Sequence, residues 1–198
     1  MKDKIISKAN DMFLKLGFKS VTMDDIACEM CISKKTIYKY FSNKEALIEE
    51  GTEAIKNQIQ NAINDIVAKN YNAIRENFEI RKTFKNMFQS VDQSPAFQLK
   101  KHYPEIYAKI TEDEFIECRK LFTQNVIKGM AEGLYRSAID VEAVVQFFYT
   151  LMFSINENTL MEKEANILEL KALEYHTRAI ATAKGIEELE KNLNTNNN

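Results

Sequence analysis

Apolar residues return every three or four positions through most of the chain, the period of a helix with one buried face. Ile5, Ile6, Ala9, Met12, Phe13 and Leu16 form the first run, and Gly17 is placed to end it as a glycine just past a helix C-terminus. The next run is short. Thr22 and Asp25, three residues apart, make a capping-box pattern, so a helix is expected from Met23 to about Met30, with Ile26, Ala27 and Met30 on one side. Cys31 and Ile32 break the period. Ser33 then caps a third helix, Lys34 to about Tyr40, whose apolar side is Ile37 and Phe41. Asn43 caps a fourth, Lys44 to about Ala68, carried by Leu47, Ile48, Ile55, Ile59, Ala62, Ile63 and Ile66. Gly51 lies inside it at a cost of about 1 kcal/mol relative to alanine.

The pattern continues with helices over Tyr71–Ser90, from Pro95 to about Tyr103, and from Pro104 to about Gly129, where Gly129 and Gly133 close the last of them. Asp140 caps a helix from Val141 to about Leu160. Its apolar residues point in nearly all directions, which predicts burial on all sides. A final helix is expected from Ala165 to Leu189, and the polar run Asn192–Asn198 is expected to be disordered. The fold class is therefore all-α: a three-helix head over residues 1–47, a larger helical body over 48–191, and a tail over 192–198.

Composition agrees with this. Among 198 residues there are only 5 glycines and 2 prolines, too few for many hairpin turns. Apolar residues at 45% and charged residues at 28% are ordinary for a soluble globular chain. No secretory signal opens the sequence, and its longest uncharged stretch, Ala143–Asn156, is too short to span a bilayer. A cytoplasmic protein with no membrane contact is expected.

Charge changes the picture only locally. The net charge is −2, but between Ser33 and Lys44 stand Lys34, Lys35, Lys39 and Lys44 with no acid among them. The hydroxyls of Thr36, Tyr38 and Tyr40 lie between the lysines. Two short capped helices joined by a three-residue turn are a helix-turn-helix, and the second is short enough to enter a major groove. Lysines neutralise phosphates and hydroxyls donate to them. The expected DNA-binding residues are Thr22, Ser33, Lys34, Lys35, Thr36, Tyr38, Lys39, Tyr40 and Lys44. Among them, Lys44, Tyr38 and Thr36 are expected on phosphates and Lys34, Lys35 and Lys39 on guanine edges. A solvated basic face on an ordinary helix is the plainer reading of the lysines alone.

Over roughly Ile5 to Leu47 the chain resembles the TetR family of bacterial transcription regulators. The resemblance rests on Thr22, Asp25-Ile26-Ala27, Ile32-Ser33, Thr36-Ile37-Tyr38, Tyr40-Phe41 and Lys44-Glu45-Ala46-Leu47. That family usually has glycine in the turn where this chain has Cys31, and a non-glycine residue at positive φ costs roughly 1 kcal/mol. The resemblance implies a homodimer on palindromic operator DNA, with the fourth helix transmitting ligand binding to the heads.

In the body, aromatic bulk between residues 78 and 153 reads mostly as core, but a bundle this bulky can leave a cavity for an apolar ligand. The candidate effector-binding residues are Phe84, Phe88, His102, Tyr103, Tyr107, Phe122, Phe148 and Met152. The dimer is expected through the helices Val141–Leu160 and Ala165–Leu189, with Phe153 on the outward side and small residues Ala172, Ala179, Ala181 and Ala183 allowing close approach.

Cys28 and Cys31 form a C-x-x-C without a second ligand pair, since Cys118, His102 and His176 are scattered. No metal or cofactor is expected. The two cysteines read as a half-buried residue at a helix end and another in the turn, with a redox switch as the alternative. No paired carboxylates, Ser-His or Cys-His neighbours or phosphate loop point to an enzyme. The leading expectation is a ligand-responsive transcription regulator, a repressor released by a small apolar effector. A helical protein-binding scaffold is the alternative.

Overall fold

The structure, a computed structural model, describes residues 1–196, the side chains of residues 113, 114 and 196 excepted. Ten helices and no strands occur among the described residues: α1 (Lys2–Leu16), α2 (Met23–Glu29), α3 (Lys34–Tyr38), α4 (Lys44–Val67), α5 (Ala73–Met87), α6 (Pro95–His102), α7 (Pro104–Ala131), α8 (Val141–Asn158), α9 (Glu162–Ile180) and α10 (Ala183–Asn196). None is long and apolar enough to cross a membrane.

The caps fall where small polar residues precede the apolar runs. Thr22, Ser33, Asn43, Asn72, Ser94 and Asp140 each accept a hydrogen bond from a backbone N–H three residues on. Asn72 thereby starts α5 at Ala73, two residues later than the apolar pattern suggests.

Between α2 and α3 the chain makes a Schellman turn. Ile32 N–H reaches Ala27 O at 3.0 Å and Cys31 N–H reaches Cys28 O at 3.0 Å. Cys31 holds the left-handed position with φ 53°, where glycine would be unstrained.

The head packs Ile5, Ala9, Phe13, Ile26, Ile37, Leu47 and Ile48 out of solvent altogether. This core does not end with α4: Leu99 of α6 and Ile106 of α7 belong to the same cluster. Gly51 lets α1 and α4 approach, because a Cβ there would collide with the Asn10 side chain, whose Nδ2 donates to Gly51 O at 2.8 Å. The helix-propensity cost of this glycine is offset by that contact.

The body groups α5, α7, α8, α9 and α10 around a second core that includes Ile74, Phe78, Val126, Tyr135 and Leu189. Gly129 does not end α7, which runs on to Ala131; it makes room for the Tyr135 ring.

The last helix is two, α9 and α10, broken at Ala181-Thr182. Thr182 N–H donates to Leu134 O at 2.9 Å, and Thr182 Oγ1 accepts from Gly185 N–H at 3.2 Å, so a contact distant in sequence turns the chain and Thr182 restarts it. The polar run from Asn192 is helical as far as Asn196, held by Leu193, which is buried in the body core. Residues 197–198 lie outside the described residues.

Candidate nucleic-acid interface and effector cavity

Helix α3 is held by one buried side chain, Ile37, and by its Ser33 cap, whose Oγ lies 2.9 Å from Thr36 Oγ1. Lys34, Lys35, Tyr38, Lys39 and Tyr40 are all exposed, and Thr36 is half-buried. The basic face is less uniform than the sequence suggests. Asp24 of α2 pairs with Lys34 at 2.9 Å and holds its ammonium above the usual lysine range. Lys35 and Lys39 make no ion pair among the described residues, so the uncompensated charge of α3 rests on them.

Thr22 is exposed, but its hydroxyl closes the capping box with Asp25 at 2.7 Å, which holds the Asp25 carboxyl below its ordinary value. Lys44 is half-buried. Its Nζ donates to Lys19 O at 3.2 Å and stands 5.8 Å from the Phe13 ring centre and 5.6 Å from that of Tyr103. Its ammonium is thus shared with the junction of head and body rather than standing free beside α3. Cys28, near the end of α2, is exposed and not half-buried, and Cys31 lies in the turn, also exposed. Among the described residues no cluster of three His, Cys, Asp or Glu could hold a metal.

The junction is built on Phe18. Its N–H donates to Gln98 Oε1 at 3.0 Å, and its carbonyl accepts from Tyr103 OH at 3.3 Å. His102 stands beside it, its imidazole held below the ordinary value by burial and then by Lys19 and Lys101.

A cavity of about 330 Å³ opens inside the body. It takes in Phe84, Phe88, Tyr107, Phe122, Phe148 and Met152. His102 and Tyr103 lie outside it: the chain turns at Tyr103, between α6 and α7, and that ring packs on the head core. Leu14 and Phe18 of the head reach the cavity wall, which the sequence pattern does not reveal.

One end of the cavity is polar, formed by Arg81, Asn156, Glu162, Asn166 and Glu169. Burial, then Glu169, pushes the Glu162 carboxyl up to about 7, and burial also raises Glu169. The sequence carried a signal for these residues. Glu162, Asn166, Glu169 and Leu173 recur at helical spacing on the face of α9 that also buries Ala165 and Ala172. Behind the cavity, His176 stacks on Phe148 with ring centres 4.2 Å apart, and burial lowers its imidazole to about 4.

Helix α8 is not buried on all sides. Phe147 is 72% exposed and Leu151 is also exposed; on α9, Leu168 and Tyr175 are exposed, Tyr175 at 72%. The short connection makes α8 and α9 a packed antiparallel pair, and each leaves an apolar face exposed. Phe153 is not on the exposed face of α8: it lines the cavity, with its ring 4.5 Å from that of Tyr149. Ala172 is buried within the subunit, whereas Ala179 is exposed.

A family model of bacterial regulatory proteins, tetR family, matches residues 5–50. The chain is 28% identical over 117 residues to IcaR of Staphylococcus aureus, a negative transcriptional regulator of the biofilm operon icaADBC; the match covers 58% of this chain and 57% of IcaR. The chain thus spans little more than half the length of that relative. It is 29% identical over 156 residues to YdeS of Bacillus subtilis, an uncharacterized HTH-type transcriptional regulator, covering 75% and 74% of the two chains. Among solved structures, a transcriptional regulator from Cytophaga hutchinsonii has a TM-score of 0.74 at 18% identity, covering 91% of this chain and 98% of its own. The reduced form of E. coli NemR has a TM-score of 0.69 at 16% identity, covering 91% and 97%. At these identities the two structures establish the fold: a helix-turn-helix head on a helical body.

Proposed function

We propose that this chain, which belongs to the TetR family of bacterial regulatory proteins, is a ligand-responsive regulator of transcription that represses by binding operator DNA and is released by a small, largely apolar effector. The observation that carries the reading is α3: a short, capped helix, anchored by Ile37, that presents Lys35, Lys39, Tyr38 and Tyr40 outward on a rigid head. Lys35 and Lys39 serve phosphates and guanine edges, with Lys34 weakened in that role by Asp24. Lys44 positions the N-terminus of α4 and the Phe18 loop as much as it neutralises phosphate.

The effector occupies the cavity, and its effect reaches the DNA through contact as well as through α4. Leu14 and Phe18 line the cavity, and the Phe18 backbone is bonded to both Gln98 and Tyr103. A ligand that shifts α6 therefore acts on the head core at Leu99. Coupling of this kind is typically about 1–3 kcal/mol and is reciprocal, so operator DNA weakens effector binding by the same factor.

A second copy covers Phe147, Leu151, Leu168 and Tyr175. This contact is isologous and brings two α3 helices onto the half-sites of a palindrome.

The test starts from duplexes selected out of a random library by the full-length protein. Binding to the selected duplex should fall steeply between about 50 and 200 mM salt, and Lys35→Ala with Lys39→Ala should flatten that slope by about 2. A library from which nothing is enriched, or binding indifferent to salt, would leave the protein-binding scaffold as the better reading.

A further inference from the structure

We propose that the cavity selects apolar molecules ending in a protonated amine, with the ammonium set against the carboxylate of Glu162 at the polar end between α5, α8 and α9. This rests on the reading of the cavity as the effector site and names the class of effector it takes.

Glu162 is 8% exposed and lines the cavity. Its hydrogen-bond donor is the Asn166 amide, Nδ2 to Oε1 at 3.1 Å, and no cation pairs with it among the described residues. A buried carboxylate without a counter-charge is unfavourable, and a cation brought by the ligand relieves it.

The other charged groups around Glu162 do not supply that cation. Glu169, one helical face along on α9, adds a second negative charge and accepts from Asn156 Nδ2 at 2.9 Å. Arg81 of α5 donates from Nη2 to Asn166 O at 2.6 Å, and its charge is offset by Glu169. Lys56 of α4 reaches the cavity wall but has a partner of its own. In the α5–α6 connection, Asp92 meets Glu162 only through its carbonyl, which accepts the Glu162 N–H at 2.9 Å. The side chains that Ser94 and Asn156 turn to the site are uncharged. Thus the two carboxylates face one guanidinium, and Glu162 is the unmatched group.

The rest of the wall fixes the ligand's body as apolar, with Phe84, Phe122, Phe148 and Met152 on it. The Arg81 Nε–H is buried without an acceptor, so an acceptor on the ligand near the amine would add to affinity. The raised carboxyl of Glu162, about 7 in the empty site, gives the selection a pH dependence. Below that value the arriving ammonium displaces the carboxyl proton to solvent, which weakens binding.

Three probes that differ only in the head group separate the possibilities: octylamine, 1-octanol and octanoate, titrated calorimetrically into the full-length protein. Octylamine should bind at least about tenfold tighter than 1-octanol, and octanoate weaker than both. Octylamine affinity should rise about tenfold between about pH 6 and pH 8, because the amine stays protonated there while Glu162 ionises. Glu162→Gln should bring octylamine down to the affinity of 1-octanol. If Glu162→Gln does not fold, the wild-type ranking of the three probes still decides. Equal binding of octylamine and 1-octanol, or a preference for octanoate, would overturn the amine selection and leave the apolar effector site standing. Binding by none of the three would remove the effector site itself, and the inference with it.

Discussion

Head and body treat their interiors in opposite ways. The head fills its core: seven apolar side chains from four helices are wholly out of solvent, and its polar residues are caps, surface charges or Asn10, whose amide ties α1 to Gly51 of α4 and whose Oδ1 is left without a partner. The body surrounds a cavity, buries carboxylates at one end of it, and leaves the Arg81 Nε–H without a partner. A filled core specifies one shape, which a surface that must match a groove requires. A core with a space and unmet polar groups is stabilised by whatever fills them, which makes its shape depend on a ligand. The two are joined because Leu99 and Ile106 of the body complete the head core.

The largest effect should come from the exposed apolar side chains of α8 and α9. Phe147→Glu combined with Tyr175→Glu places charge where a second copy would sit. Sedimentation should show monomers, and affinity for a palindromic duplex should fall by about a hundredfold or more, because one short helix alone reads too few base pairs. A dimer with undiminished affinity would mean that the copies meet elsewhere.

Leu99→Ala removes a side chain that is outside the head in sequence but 6% exposed within its core. A loss of about 2–4 kcal/mol is expected on thermal unfolding. Amide exchange in α1 and α4 should quicken together with that in α6. If protection in α1 were untouched, the head would be a self-contained unit, and the route from cavity to head through Leu99 would fail.

The head was readable from the sequence and the body only in part, for a physical reason. In residues 1–47 each structural decision is local: Thr22, Ser33 and Asn43 are capping residues within three positions of the N–H they bind, and Ile37 and Phe41 mark the buried side of α3. The body's decisions are made at a distance. Nothing near Thr182 says that its N–H will find Leu134 O, and the helical period runs on across the break between α9 and α10. Glu162 and Glu169 share the α9 face of Ala165 and Ala172, but nothing near them says that α5 and α8 will close over it. His102 and Tyr103 stand at helix ends, a common place for ligand-orienting groups, yet the turn at Tyr103 sends them to the head. Asp24 meets Lys34 from another helix, ten residues back in sequence, so the basic run alone does not reveal the pair.

The carboxylate at the polar end of the cavity should make the body's stability depend on pH in a way the head's does not. The folded Glu162 carboxyl is raised from 4.5 to about 7. Below 4.5 it is protonated in folded and unfolded chains alike and makes no difference. Between 4.5 and 7 the unfolded chain ionises first, so stability falls as pH rises; above about 7 the full cost is present. Glu162→Gln should therefore match the wild type near pH 4.5 and exceed it near pH 8 by on the order of 3 kcal/mol. Melting followed by circular dichroism at the two pH values measures this. A constant difference at both would show that the carboxyl does not titrate as its burial requires.

The smallest effect tests the one strained point in the head. Cys31 holds φ 53° at the position past the end of α2 where glycine pays no steric penalty. The strain is worth roughly 1–2 kcal/mol, while a glycine loses about 0.4–1 kcal/mol through the greater freedom of the unfolded chain. Cys31→Gly should therefore stabilise the protein by under about 1 kcal/mol. The side chain is exposed, so no core contact is lost with it. Cys31→Ala is the control: it removes the thiol and keeps the Cβ, and should leave the melting temperature nearly unchanged. If Cys31→Ala stabilised as much as Cys31→Gly, the gain would come from removing sulfur and not from relieving the backbone. If neither altered stability while Cys31→Gly weakened DNA binding, the left-handed turn would matter as a stiff connection between α2 and α3 rather than as a source of strain.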